Sequence, residues 1–263
     1  LTFLNEQYGW LVVSVDHTMS QDVLAILATT DGGQTWQQVA DTFTMGQSPE
    51  DIQPSANMPC QVSAIAFTDP QIGYLAGDCL APGGDYGFTI LDTHDGGLNW
   101  TTPFTNPVNL PQALQTAISE GRSTCGATGV ENTPAGILVQ HSCQVQESSG
   151  EWNRYYYLSL LPKGSNAWLG WAGEAASFAS TSQGYSLGQM MQNGRRSLSA
   201  TTDGGRTWQV ATSVTWQEAR LDFQLPGQGF ALVLAWGDQT YDSALVRTED
   251  GGTTWTLVEG VMK

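Results

Sequence analysis

Apolar and polar residues alternate along much of the chain with the period of two that marks β-strands, and no long stretch shows the 3.6-residue recurrence of an amphipathic helix. One stretch sets the pattern. Gln61–Phe67 (QVSAIAF) runs into a Pro/Gly turn at 68–73 (TDPQIG). The strand YLAGDC (Tyr74–Cys79) follows, then a loop, then GFTILDT (Gly87–Thr93), and NWTTPF (Asn99–Phe104) leaves the next turn. β-Branched and aromatic residues within the runs and Gly/Pro/Asp between them predict four short antiparallel strands. The fold class expected is all-β.

The same four-strand unit recurs. Thr29–Trp36 (TTDGGQTW), Thr93–Trp100 (THDGGLNW), Thr201–Trp208 (TTDGGRTW) and Thr248–Trp255 (TEDGGTTW) share the pattern Thr-x-Asp-Gly-Gly-x-x-Trp. A second feature spreads the repeat over nearly the whole chain: an apolar residue stands six positions before a glycine. The pairs are Phe3/Gly9, Phe67/Gly73, Val130/Gly136, Phe178/Gly184 and Phe223/Gly229. In the third unit the segment Leu161–Trp168 keeps the Trp but puts Lys163 where the Asp should stand. The motif resembles the Asp-box, or bacterial neuraminidase repeat, of β-propeller blades in sialidases, sortilin-type receptors, xyloglucanases and photosystem II assembly factors. The resemblance implies a propeller of four-stranded blades.

Five units predict five blades, approximately 1–57, 58–121, 122–169, 170–213 and 214–263 in one domain. A six-bladed ring is the alternative if a unit precedes Leu1. Each Asp-box reads as a hairpin staple between third and fourth strands, with glycines allowing positive φ and the Trp packing between blades. Asp31, Trp36, Asp95, Trp100, Asp203, Trp208, Asp250 and Trp255 are therefore assigned structural roles. In an antiparallel meander the boxes and the first-to-second turns share one pole. The longer, variable loops share the other, where function is expected.

The cysteines fall as two pairs whose midpoints lie in predicted first-to-second turns: Cys60 with Cys79, and Cys125 with Cys143. Each pair would face across a hairpin, which predicts those two disulfides among the three connectivities four cysteines allow. Disulfides in turn predict an extracytoplasmic chain, whether secreted, periplasmic or surface-anchored, with any export signal or membrane anchor upstream of Leu1.

Composition narrows function. The 263 residues carry 25 acidic against 9 basic groups, a net charge of −16, which disfavours nucleic acid and anionic membranes as partners. No apolar run is long enough to span a bilayer. The three histidines, His17, His94 and His141, are scattered, and no metal-binding or phosphate-cradling motif occurs, so no metal or other cofactor is expected. An acidic cluster at Asp16, His17 and Asp22 is not singled out by spacing.

Two function classes follow. A monomeric, non-enzymatic module would bind a protein or glycan at the variable-loop pole through Trp216, Trp236, Tyr241, Arg195 and Arg196, with Trp152 and Tyr86 nearby. A secreted glycoside hydrolase, sialidase-like or xyloglucanase-like, would use a carboxylate pair on that pole, drawn from Asp85, Glu151, Glu174, Glu218, Asp238 and Asp242. The sialidase resemblance implies three arginines around a substrate carboxylate. Only Arg122 and Arg220 lie near starts of inner strands, so the clasp is incomplete. Photosystem II assembly factors act by binding through a basic patch, for which this chain has no counterpart. The binding module is the primary expectation.

Overall fold

The computed structural model describes residues 1–17, 22–42, 57–58, 60–80, 86–105, 116–117, 120, 123–146, 150–191, 193–236 and 241–258. The side chains of some strand-end residues also lie outside that description. The chain forms five antiparallel sheets, the blades of a β-propeller. Blade one comprises β1 (Thr2–Phe3), β2 (Gly9–His17), β3 (Asp22–Thr29) and β4 (Gln37–Thr42), with β5 (Asn57–Met58) added parallel to β4. Blade two is β6 (Cys60–Phe67), β7 (Gly73–Leu80), β8 (Tyr86–Thr93) and β9 (Thr101–Thr105). Blade three is β10 (Ser123–Asn132), β11 (Gly136–Gln146), β12 (Trp152–Pro162) and β13 (Leu169–Ala172). Blade four is β14 (Ala175–Phe178), β15 (Gly184–Leu187), β16 (Arg196–Thr201) and β17 (Gln209–Val214). Blade five is β18 (Glu218–Leu225), β19 (Gln228–Trp236), β20 (Tyr241–Thr248) and β21 (Thr256–Leu257).

The aromatic-to-glycine spacing has a direct cause. Phe3, Phe67, Phe178 and Phe223 pair in register with Gly9, Gly73, Gly184 and Gly229, and each ring lies flat over its glycine. A Cβ on Gly73 would stand 2.5 Å from the Phe67 ring, closer than any side chain tolerates, so the ring excludes every other residue there. Blade three differs. Its first two strands stay paired beyond Val130 as far as Asn132 and Ile137, so Val130 stands opposite Val139 and a tight turn closes at Thr133–Gly136. Its glycine is required because φ is +148° and a Cβ would lie 2.0 Å from the Leu161 carbonyl oxygen.

The Phe rings also make the joints between blades. Trp10 of blade one stacks on Phe67 of blade two at 3.5 Å, and Tyr185 of blade four stacks on Phe223 of blade five at 3.6 Å. Polar contacts fix the same joints, with Trp10 Nε1 donating to the Gly96 carbonyl at 3.1 Å and Tyr185 Oη accepting from Gly227 N–H at 2.9 Å. Around these rings the inner faces of neighbouring blades bury Ile26, Ile65 and Leu75 at one joint and Leu198, Leu221 and Val233 at another.

The four Thr-x-Asp-Gly-Gly-x-x-Trp turns are nearly superimposable in their bonding. Thr29 Oγ1 donates to Asp31 Oδ1 at 2.8 Å and accepts from Gly33 N–H at 2.9 Å. Asp31 also accepts from the N–H and hydroxyl of Thr35. Asn99 replaces that Thr in blade two, its amide donating to Asp95. Gly32, Gly96, Gly204 and Gly251 donate to carbonyls of the first-to-second turn of the same blade, and Lys163 N–H does so in the blade that lacks the Asp. Hydrogen bonds led by those of the Thr35 and Thr207 side chains hold Asp31 and Asp203 at about 2, against an ordinary 3.8. For Asp95 burial pulls the other way, and the Asn99 and Thr93 bonds outweigh it. These carboxylates are engaged inside their own turns. Each Trp stands edge-on to the Phe of its own blade, as Trp100 does to Phe67 at 6.1 Å.

Cys125 and Cys143 form a disulfide across β10 and β11. The register of β6 and β7 sets Cys60 opposite Cys79, though their side chains fall outside the described residues.

Candidate functional site

The inner strands β10 and β18 carry the groups that face the propeller axis. Along β18 the pleat alternates: Leu221 and Phe223 are buried in the joint with blade four, while Glu218, Arg220 and Asp222 stay exposed on the other face. On β10, Val130 packs into the joint with blade two, which leaves Glu131 on the axial face. Three cavities of about 510, 650 and 680 Å³ adjoin these strands. Glu131 and Arg220 line all three, which makes them the meeting point of the accessible interior.

Charge is arranged there in two sets of carboxylate, arginine and carboxylate. In the first, the walls around Glu131 raise its pKa above the ordinary glutamate value; Arg220 acts against that rise and Asp222 adds to it. Glu131 is itself exposed to solvent along the cavity. The second set lies toward the variable-loop pole. Glu174, just ahead of β14, and Glu218, at the start of β18, line the cavity of about 650 Å³ with Arg154 and Tyr156. Burial raises the Glu174 pKa; Arg196 opposes by charge and hydrogen bond, and Glu218 raises it further. A carboxyl held protonated at higher pH, beside a second carboxylate, is the arrangement general acid and base chemistry needs.

The residues singled out from sequence are dispersed. Arg196 is buried at 6% exposure and bonded to Glu174, the Gly188 carbonyl and the Gln217 carbonyl. It organises Glu174 instead of standing free for a ligand. Arg195 is exposed, with its guanidinium donating to the hydroxyl and carbonyl of Ser213. Trp216 is half-buried in the joint between blades four and five, edge-on to Trp255 at 5.1 Å. Trp236 and Tyr241 pair across the β19–β20 hairpin at the variable-loop pole, but their side chains lie outside the described residues. So do Asp85, Asp238, Arg122 and the side chains of Tyr86, Asp16, His17 and Asp22. Trp152, at the start of β12, is 55% exposed on the same pole. Among the described residues no group of three His, Cys, Asp or Glu is placed to hold a metal.

Sequence reasoning found Glu174, Glu218 and Arg220 and missed Glu131 and Asp222. The available signal was strand parity. With Val130 assigned to the blade joint, the next residue on the strand must face the axis.

No family model and no curated protein matches the chain. Solved structures do match in fold. An ulvan lyase of polysaccharide lyase family PL25 superposes with a TM-score of 0.51 at 12% identity, over 92% of this chain and 62% of its own. The polysaccharide lyase Uly1 gives 0.50 at 9% identity, over 92% and 55%. A sialidase, Hz136, from the Hadza microbiota gives 0.43 at 13% identity, over 89% and 51%. The chain thus spans less than two thirds of the length of each of these three structures. At such identities the likeness is one of fold, and function has to be argued from the site.

Proposed function

We propose that the chain is an exported glycan-active propeller that cleaves glycosidic bonds in its central cleft. The observation that carries this reading is the convergence of all three cavities on Glu131 and Arg220, with the Glu131 pKa raised. In the proposed reaction protonated Glu131 gives its proton to the leaving glycosidic oxygen as the bond to the anomeric carbon breaks. Asp222 deprotonates the attacking water or stabilises the developing oxocarbenium charge. Arg220, which lines the same cavity, orients an acidic or hydroxyl group of the sugar. The Cys125–Cys143 disulfide supports export, and the fold is shared with enzymes named as polysaccharide lyases.

A second reading keeps the propeller as a non-enzymatic module that binds a glycan or protein at the variable-loop pole. The exposed Trp152 ring favours it, since aromatic rings stack on sugars and anchor protein interfaces. It also suits the resemblance of the repeat to assembly factors that act by binding.

A panel of sialosides, β-glucans and uronate-containing polysaccharides, assayed for released reducing ends beside binding, separates the two. Turnover abolished in Glu131→Gln with binding retained supports the enzyme. Binding without turnover, lost in Trp152→Ala and kept in Glu131→Gln, refutes it in favour of the module. Products that carry a new double bond would replace hydrolysis with elimination at the same cleft.

A further inference from the structure

The cavities of about 510 and 650 Å³ are stacked along the propeller axis, and three inner strands give the same order. On β10, Thr128 lines only the larger, Glu131 lines both, and Asn132 with the turn residues Thr133 and Pro134 lines only the smaller. At β14, Glu174 and Ala175 belong to the larger, Ala176 to both, and Ser177 and Phe178 to the smaller. Along β18, Glu218 belongs to the larger, Arg220 and Leu221 to both, and Asp222 and Gln224 to the smaller. These strands stand in three different blades, so the order belongs to the interior and not to one sheet. The two cavities are sections of a single passage that meet at Glu131 and Arg220.

Both sections reach solvent. The larger does so toward the variable-loop pole, beside Thr128, Arg154 and Glu218, all exposed. The smaller does so toward the opposite pole, where Pro134 and Gln224, in or beside first-to-second turns, are exposed. Glu131 and Arg220 are exposed as well, so the meeting point is not shut off between the two mouths. Glu218 and Gln224 are six residues apart on β18, about 20 Å at the rise of an extended strand, which is several times the length of a pyranose ring. Each section alone falls within the range of about 300 to 1,000 Å³ typical of ligand pockets. An enzyme that removes terminal units stops its substrate in a blind pocket one unit past the scissile bond. Here room continues on both sides of Glu131.

We infer that the substrate is a polysaccharide chain seated in both sections at once and cut at an internal bond beside Glu131. This rests on the reading of Glu131 as the proton donor and adds the form of the substrate to it. Units on the loop side meet polar and charged groups, among them Arg154, Tyr156 and Glu218. Those on the other side meet the apolar walls of Phe178, Phe230 and Leu245, against which the C–H face of a sugar ring packs. Binding on each side contributes to holding the scissile bond at Glu131, so neither section is dispensable for turnover.

The test gives the chain a β-glucan and a uronate-containing polysaccharide, both of high molecular mass, and follows viscosity, reducing ends and product length together. Internal cleavage is expected to lower viscosity while few reducing ends have formed, with oligosaccharides of mixed length as the first products. Two variants then fill one section each, Thr128→Trp on the loop side and Pro134→Trp on the other. Each should lower kcat/KM on the polymer by about tenfold or more, because binding to units remote from the reacting bond is lost. Monosaccharide as the first product, with viscosity falling only as reducing ends accumulate, would overturn the inference and leave the enzyme reading standing. So would cleavage of sialosides alone, or a Pro134→Trp chain as active as its parent, since one section would then be idle. A failure to cleave any polysaccharide or sialoside would overturn the enzyme reading and the inference with it. Thermal melting of each variant separates a filled section from a misfolded chain; where a variant does not fold, the product profile of the unaltered chain decides.

Discussion

His141 gives this propeller an acid sensitivity that begins above the range in which carboxylates titrate. The residue sits on β11 at 1% exposure, with its Nε2 2.9 Å from the Ser159 hydroxyl on β12. Burial lowers its pKa from 6.5 to about 3. The unfolded chain therefore takes up a proton as pH falls through 6.5, while the folded chain does not until about pH 3. Stability that is full above pH 6.5 falls by about 1.4 kcal/mol per pH unit below it. At pH 4.5 the loss from that full value is about 2.7 kcal/mol, or about 5 to 10 °C of melting temperature for a chain of this size. Glu131 and Glu174 act in the opposite sense. Their raised folded pKa values mean stability is gained as pH falls through them, so the raw profile mixes signs. Comparison with His141→Gln removes them. Glutamine is neutral throughout and still reaches Ser159. Urea unfolding of both proteins at about pH 7, 5.5 and 4.5 should show the wild-type advantage shrinking by about 2 to 3 kcal/mol across the series. Parallel profiles would mean that His141 titrates normally, through an opening that admits water, and would refute the argument from burial.

Three further outcomes follow from the repeat. Gly73→Ala puts a methyl 2.5 Å from a Phe67 ring pinned between Trp10 and Trp100; a loss of about 1 to 3 kcal/mol is expected in chemical unfolding. Gly150→Ala, with nothing within 4 Å, should cost only its positive φ of +87°, and equal losses at the two sites would refute the ring-on-glycine explanation. Reducing the Cys125–Cys143 disulfide, which closes a separation of 18 residues, should lower stability by about 3 kcal/mol; the Cys125→Ala/Cys143→Ala double variant, melted with and without reductant, assigns that loss to this bridge. Asp203, held at about 2 in the folded chain, contributes stability that is present above its ordinary 3.8 and lost as pH falls toward 2. Asp203→Asn should flatten the thermal profile over that window, and an unchanged acid limb would show that the turn carboxylate is not coupled to folding.

The architecture was legible because the repeat states its own rules. A ring that lies on the backbone opposite it admits only glycine, so the Phe67/Gly73 spacing recurs wherever that geometry does. Where another device meets the same need the signal blurs. Val130 and Gly136 keep the spacing of six, yet they do not pair, because β10 and β11 run on to a tight turn at Thr133–Gly136, where the glycine is required by its own backbone and the Leu161 carbonyl. The Cys125–Cys143 disulfide was legible for a related reason, since residues equidistant from a hairpin turn must face each other.

The site was much less legible, and the arginines show why. Arg195 and Arg196 are adjacent, and a charge pair in a predicted loop reads as one exposed patch. The strand pleat separates them: Arg195 lies on the outside, and Arg196 is drawn under the loop pole to hold Glu174 beside Glu218. Burial of a cation is invisible in sequence until its carboxylate is known to approach from another strand, and Glu174 is 22 residues away. Glu131 and Arg220 are more remote still, on inner strands of blades three and five. They share the cleft only because those strands stand around one axis. The repeat therefore predicts which positions face that axis, while the choice of Glu, Arg and Asp at those few positions belongs to this chain alone. That is where its chemistry has to be sought.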